Sequence, residues 1–349
     1  MKELNTITNA IYWQKRCLIV FYLFFVQVAL VNAAADTQPN TQGLHGTLVV
    51  VNKLGNDVSL IDIASKKVIK SLPTGKGPHE LAITKDGKWA VSTDYVGGNS
   101  LTVFDVANAK PVRTISFAKY PRPHGILFFK DQKHVAVSSE GSDTAVIVNI
   151  HSGEIVSAID TKQKGSHMVA VPDASDVIYT TNMSSNSVSV LSVPLDKLIR
   201  TIDMPTTPEA VTVNKLGTQL WVGSNKKGLV SVFNLVDDSK IAEFEGYAFP
   251  YRILLTQDQK YAVVPDYRQS TLDIFDAIGK KRLKRIQLDS SFGPKGVYFH
   301  PNDRTLFLSL YEQDKVLAIE IPSGEIKFEL PAGDGPDGIG FSRILLTID

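Results

Sequence analysis

From Thr47 onward, apolar and polar positions alternate in short runs separated by turn residues. One such segment recurs seven times: Asn56–Asp62, Asn99–Asp105, Asp143–Asn149, Asn186–Ser192, Gly228–Asn234, Ser270–Asp276 and Asp314–Glu320. Alternation with period two is the signature of a strand with one buried face. Successive segments end 42–44 residues apart, a spacing that belongs to propeller blades and not to helical repeats.

Within each period the order of elements is constant. The second repeat shows it best: Pro78–Ile83 is a first strand, Lys85–Lys88 a turn of the Asp-Gly kind, Trp89–Ser92 a second strand, Ser100–Asp105 a third and Val112–Ile115 a fourth. No helix is predicted after Val31. The N-terminal repeat has second, third and fourth strands (Thr47–Val51, Val58–Ile63, Val68–Leu72) but no first one. The C-terminal Pro336–Ser342 is a first strand without followers. Together they complete one blade and leave no open sheet edge. The expected fold is all-β: a seven-bladed β-propeller of four-stranded blades over residues 46–349, closed by the C-terminal strand joining the N-terminal blade.

The repeating unit, seen in Pro123-His124-Gly125-Ile126, Pro294-Lys295-Gly296-Val297 and Pro336-Asp337-Gly338-Ile339, resembles the YVTN-type propeller repeat of exported proteins. The literal Tyr-Val-Thr-Asn strand is degraded, nearest in Ile178–Asn182. The resemblance implies a fold more than a function, because the shared residues build blades.

The first 35 residues differ. A polar start ends in Lys15-Arg16, the run Cys17–Val31 is apolar, and Asn32-Ala33-Ala34-Ala35 supplies small residues. This is the layout of a secretory signal peptide, with cleavage after Ala33 or Ala35, followed by a linker over 36–45. An uncleaved anchor is the alternative. Cleavage would remove Lys2, Glu3, Lys15 and Arg16, moving the formal charge from +1 to −1, together with the single Cys. A thiol-free mature chain suits an oxidising compartment, so a periplasmic or secreted location is expected. No disulfide framework is possible. The balanced charge lacks the basic stripe of a nucleic-acid binder, and no later apolar run reaches the length of a membrane span. A monomer is expected.

Candidate chemistry follows from the repeat. The inner strand of each blade borders the central channel, so the residue after the repeat's Pro recurs around one channel mouth. These residues are His79, His124, His167, Glu209, Tyr251, Lys295 and Asp337, none of them apolar. Channel mouths are wet, and solvation alone accommodates a polar ring. Yet three of the seven histidines share one repeat position, and repeat proteins gather function on one face. Neutral imidazoles suit a transition metal, which makes His79, His124 and His167 a candidate metal set. Loops between second and third strands bring Asp94-Tyr95, Glu140, Asn182, Asp266-Tyr267-Arg268 and Tyr311-Glu312 to the same face, and Arg122 and Arg252 flank ring positions. Arg presents a fork for carboxylate or phosphate; Tyr offers amphipathic contact. His134, His151 and His300 fall away from this mouth. Trp89 and Trp221 occupy equivalent second-strand positions and are expected to pack between blades.

The chain lacks a Gly-x-Ser-x-Gly elbow, a phosphate loop, a Cys-x-x-Cys-His haem attachment and a His-Glu-x-x-His motif. Two function classes remain open. One is an exported, non-catalytic binding module that takes a small molecule or a protein partner at the channel mouth. The other is a cofactor protein or enzyme. His79 and His124, at starts of neighbouring inner strands, resemble the d-type haem propellers of periplasmic nitrite reductases, which implies a haem or transition metal at the mouth. Those propellers commonly have eight blades, and no clear axial ligand is evident here. A lactonase- or lyase-like use of the histidines with Glu209 is the remaining variant.

Overall fold

Second and third strands are buried along almost their whole length, polar positions included, because both their faces are covered. Thr47–Asn52 and Thr305–Leu310 are buried along their whole length. Outermost strands such as Lys67–Pro73 and Lys110–Ser116 are exposed except at a single apolar residue, Leu72 or Ile115, which turns inward. A computed structural model describes residues 44–346 and shows what these strands build. Seven four-stranded antiparallel sheets follow one another around a ring. His45–Asp349 makes one compact unit. The signal-peptide expectation for residues 1–35, and nearly all of the linker, lie outside the described residues. Among the described residues no helix is present, hence none long and apolar enough to cross a membrane.

Blade 1 is assembled from both ends of the fold. Pro336–Ser342 pairs antiparallel with Thr47–Asn52, matching Thr47 to Ser342 and Val50 to Ile339. The closure is clasped further by Thr47 Oγ1 donating to Ile344 O at 2.7 Å and Ser342 Oγ donating to Gly87 O at 2.8 Å. The expected ring closure and blade order are observed.

The apolar core lies between neighbouring blades. Val91, Val103 and Phe117 of blade 2 meet Val135, Val146 and Val148 of blade 3; Trp221 of blade 5 packs among Phe244, Ala262 and Phe275, reaching into blade 6. The two tryptophans do pack between blades, but not at equivalent positions. Trp89 opens its strand (Trp89–Asp94) and sits half-buried against the His151 ring, whereas Trp221 is third in Gln219–Ser224 and fully buried. The two-residue offset keeps both side chains on the same strand face.

One blade departs from the pattern. The inner strand of blade 6 is reduced to Leu254–Leu255 plus an isolated bridge from Pro250 to Asp266. Its neighbour carries Pro265, whose carbonyl accepts from Tyr251 N at 2.9 Å. In an antiparallel ladder a residue's N–H points to the same side as its C=O, so the missing donor of Pro265 falls where Tyr251 and Arg252 would pair.

Candidate functional site

The ring at the channel mouth is built by a recurring β-bulge. In blade 2, Pro78 pairs with Asp94 and Leu81 with Ser92, so three residues of the inner strand match two of its neighbour. The same shift occurs after Pro123, Ser166, Pro208 and Pro294, and in blade 1 between Pro336 and Ile339. A bulge re-aims side chains and frees one backbone N–H from the ladder. That N–H would be a buried orphan, and a second-strand hydroxyl takes it. Glu80 N donates to Thr93 Oγ1 (3.1 Å), Gly125 N to Ser138 Oγ (2.9 Å), Met168 N to Thr181 Oγ1 (3.0 Å) and Gly296 N to Ser309 Oγ (2.7 Å). Three of these hydroxyls donate onward to the ring residue of the next blade: Ser138 to His167 O, Thr181 to Glu209 O (3.1 Å) and Ser309 to Asp337 O (3.0 Å).

A second device aims each inner strand. The Asn or Asp before or at the start of a third strand accepts from the backbone N–H that precedes the next ring strand. Asn56 takes Gly77 N (2.8 Å), Asn99 takes Arg122 N (2.8 Å), Asp143 takes Gly165 N (2.7 Å), Asn186 takes Thr207 N (2.9 Å) and Asp314 takes Gly335 N (2.9 Å). The donor residue adopts a left-handed φ: 61° at Gly77, 67° at Gly335, and 59° and 58° at the non-glycines Arg122 and Thr207. These two devices hold His79, His124, His167, Glu209, Lys295 and Asp337 around one opening, and Tyr251 joins them from blade 6.

All seven ring residues are buried. The ring has a charged centre at Asp337, which is fully buried. His79 Nδ1 lies 2.7 Å from Asp337 Oδ2 in a bent contact, Lys53 Nζ and Lys295 Nζ each stand 3.8 Å from the same oxygen, and the Tyr251 hydroxyl reaches Oδ1 at 3.1 Å. Burial would raise the Asp337 pKa, but His79, Lys295 and Lys53 hold it well below the usual carboxylate range. Burial pushes His79 down to about 3 against the pull of Asp337, and pushes His124 well below the ordinary imidazole value with His167 and His79 adding to it. Both rings are therefore neutral at pH 7. Burial also brings Lys295 down to about 8, opposed by Asp337.

The three histidines touch. The His79 and His124 rings meet edge-on with centroids 4.3 Å apart, and His124 and His167 lie 3.7 Å apart at 31°. Nδ1 of His124 and Nδ1 of His167 are buried without a hydrogen-bond partner among the described residues. The donor atoms that all fall within 4.8 Å of one another are those of His79, Glu80 and His124, with His167 outside that group. His167 Nε2 lies 3.8 Å from Glu209 Oε1, and the other Glu209 oxygen accepts from Asn225.

A second ring stands over the first: Lys53, Tyr95, Glu140, Met183, Asn225, Tyr267 and Tyr311, each the first residue after its second strand. The two tiers enclose a cavity of about 380 Å³ lined by His79, His124, His167, Glu209, Tyr251 and Lys295 below and by Lys53, Tyr95, Met183, Tyr267 and Tyr311 above, with Phe249 and Arg268 at the edge. Lys295 Nζ sits 3.0 Å from the Tyr311 ring centroid, and the exposed Arg268 lies over Phe249 at 5.1 Å. Arg122 stays on the rim, bound to Tyr95 OH (2.5 Å) and Glu140 Oε2 (3.1 Å).

Three loop candidates turn inward to build the blades. Asp94 accepts from Ser100 and Thr102, Asn182 donates to Ser187 and Ser189, and Asp266 accepts the N–H groups of Ala248 and Phe249. Lys53, Met183 and Phe249 went unnoticed in the sequence, as did Glu80. Glu80 of blade 2 reaches across the channel to pair with Arg252 of blade 6, and both are buried. The signal was the glycine pattern: at this third position Gly125, Gly296 and Gly338 leave no room for a Cβ, which at Gly296 would lie 1.9 Å from Asp337 O. Glu80 and Arg252 break that pattern. Their ion pair lines a second channel cavity of about 300 Å³ that is walled mainly by Leu81, Ile83, Ile126, Val169 and Ile339.

A family model described as a YNCE-like beta-propeller matches residues 29–130. No curated protein sequence matches the chain. Among solved structures, a functionally unknown protein from Desulfotomaculum acetoxidans DSM 771 aligns with a TM-score of 0.73 at 15% identity, over 85% of this chain and 99% of its own. Kuenenia stuttgartiensis hydrazine synthase aligns at 0.66 and 16% identity, over 74% of this chain and 88% of its own. The dihydro-heme d1 dehydrogenase NirN, solved in complex with DHE, aligns at 0.61 and 15% identity, over 89% of this chain and 78% of its own. The resemblance to YVTN-type propellers and, more distantly, to d-type haem propellers thus holds at the level of the fold.

Proposed function

We propose that this chain is an exported β-propeller binding module that takes a small ligand with an anionic group at one mouth of its channel. The observation that carries the reading is the two-tiered cavity of about 380 Å³, lined by side chains from all seven blades, blade 1 contributing Lys53, with the buried Asp337 of blade 1 completing the first ring. Lys53, Lys295 and Arg268 stand on one side with the faces of Tyr251, Tyr267, Tyr311 and Phe249, a setting for a carboxylate or phosphate borne on a flat body. A binding role is favoured over a catalytic one because the carboxylates of the ring are engaged: Asp337 by His79 and Tyr251, Glu209 by Asn225. A lactonase- or lyase-like use of Glu209 draws less support for the same reason. The charged flank, the apolar run Cys17–Val31 and the small residues after it support delivery to the periplasm or outside, as a monomer.

The cofactor-bearing alternative, with a metal or haem, draws on the buried, unpartnered ring nitrogens of His124 and His167; NirN offers a fold precedent for a haem-related ligand. A thermal-shift and calorimetric screen of small carboxylates and phosphates on the mature chain tests the main reading. A saturable ligand whose affinity drops at least tenfold in Lys53→Ala and Lys295→Ala supports it. A ligand unaffected by both substitutions, or no ligand at all, removes it. Intact-mass measurement of exported material tests the address: a chain beginning at Ala34 or Asp36 is expected, and retention of residues 1–33 would refute cleavage.

A further inference from the structure

We propose that His79, Glu80 and His124 form a binding site for a divalent first-row transition-metal ion. The proposal rests on the reading of the channel mouth as a ligand site and names the ion that such a site would hold. The three side chains come from one bulge and its neighbour. His79 and Glu80 are the consecutive residues that the blade 2 bulge turns toward the channel, and His124 is the equivalent of His79 in blade 3. Their donor atoms all lie within 4.8 Å of one another, against roughly 3.3 Å between donors around a bonded tetrahedral ion. Small side-chain movements close that gap. All three are more than nine-tenths buried, with 4%, 9% and 1% of their surfaces exposed.

An independent observation points the same way. Among the described residues His124 Nδ1 is buried with no hydrogen-bond partner, a costly state for a buried ring nitrogen unless a ligand meets it. The surroundings supply the supports that metal ligands ordinarily have. Asp337 Oδ2, 2.7 Å from His79 Nδ1, stands where a carboxylate orients a ligating ring. Arg252, buried like Glu80, pairs with its carboxylate and restrains where that side chain can lie. His167 stacks on His124 at 3.7 Å and Tyr95 meets the His124 ring edge-on at 4.7 Å, fixing its plane. Two imidazoles and one carboxylate with positions left open suit Zn²⁺, Fe²⁺, Mn²⁺ or Co²⁺. The nearby cations Lys53, Lys295 and Arg252 face three carboxylates, Asp337, Glu80 and Glu209, which offset their charge around the ion.

Calorimetric titration of the chelator-treated mature chain with ZnCl₂ tests the site, with CoCl₂ as a spectroscopic probe. One saturable equivalent and visible ligand-field bands from bound Co²⁺ are expected. Glu80→Gln and His124→Ala should each weaken binding at least tenfold and erase the bands. Asp337→Asn, which acts through His79, should weaken binding about 10–100-fold. His167→Ala should leave affinity close to that of the wild type. Because Glu80→Gln strands the buried Arg252, the double variant Glu80→Gln/Arg252→Gln must show the same loss with normal folding. Absence of saturable binding overturns the proposal, as does binding that survives Glu80→Gln but is lost in His167→Ala. Titrating the small anionic ligands into the same chelator-treated chain separates the two readings. Anion binding without metal binding sinks the metal site alone, and metal binding without anion binding sinks the anion reading alone.

Discussion

Thr180 and Thr181 are neighbours in one strand of blade 4 and both are fully buried, yet the structure gives their hydroxyls opposite roles. Thr181 Oγ1 accepts from Met168 N at 3.0 Å and donates to Glu209 O at 3.1 Å, joining the His167 bulge to the ring residue of blade 5. Thr180 Oγ1 has no hydrogen-bond partner among the described residues. Thr→Val is nearly isosteric, so the two substitutions differ only in the hydrogen bonds removed. Thr181→Val leaves a buried N–H and a buried C=O unpaired, at about 1–3 kcal/mol each, so a loss of about 2–6 kcal/mol is expected. Thr180→Val removes a buried, unpaired hydroxyl and should be neutral or stabilising by up to about 1 kcal/mol. With unfolding entropy near 2.1 cal/mol/K per residue, 3 kcal/mol on a unit of this length lowers Tm by about 5 °C. Scanning calorimetry of the two variants reads this directly. Thr181→Val should also weaken ligand binding at the mouth, because it releases both His167 and Glu209. Equal shifts, or a larger loss in Thr180→Val, would refute the bridging account of the bulge.

Burial raises the carboxyl of Asp94 to about 6, with hydrogen bonds from Ser100 and Thr102 opposing. Between the ordinary carboxyl value and pH 6 the folded form then holds a proton that the unfolded form has lost, so stability falls as pH rises through that window, by up to about 3 kcal/mol. Urea unfolding at pH 4.5 and pH 7 should show that slope in the wild type and a smaller one in Asp94→Asn; an unchanged slope contradicts it. Deleting Pro336 to Asp349 strips the inner strand from blade 1 and bares the Thr47–Asn52 edge, so the truncated chain should aggregate. Unaltered melting and solubility would show that the ring does not depend on this closure. Thr207 holds a left-handed φ of 58° where Gly77, Gly165 and Gly335 serve other blades. Thr207→Gly should therefore stabilise the fold slightly in denaturant titration, whereas a clear loss would argue against strain there.

Blade number, strand order and closure were legible because each rests on short-range alternation repeated at a fixed period. The ring positions were legible for the same reason: a repeat projects equivalent residues onto one mouth. What the period could not reveal was the depth of the bulge. It brings the third residue of an inner strand into the channel beside the second, and so Glu80 and Arg252 entered only with the structure, although each stands where other blades have Gly. The second tier was half legible. Tyr95, Tyr267 and Tyr311 announced themselves as aromatic loop residues, while Lys53 and Met183 hold the same register without a distinctive side chain. Asp94, Asn182 and Asp266 sit one residue earlier, and that single step turns them into the blade, since successive residues of a strand face opposite sides. Blade 6 escaped the pattern through Pro265, whose effect lies in the neighbouring strand and is invisible in the inner strand's own sequence.

The central claim is that ligand binding takes place at the mouth ringed by His79, His124, His167, Glu209, Tyr251, Lys295 and Asp337. A crystal structure of the mature chain with the best ligand from the screen tests it most directly, because another cavity competes: a groove of about 560 Å³ away from this mouth, lined by Phe129, His134, Ile147, Val156 and Val193. The account predicts ligand density within contact of Lys53, Lys295 and Tyr311. Density in the larger groove, with the mouth holding only water, would contradict it.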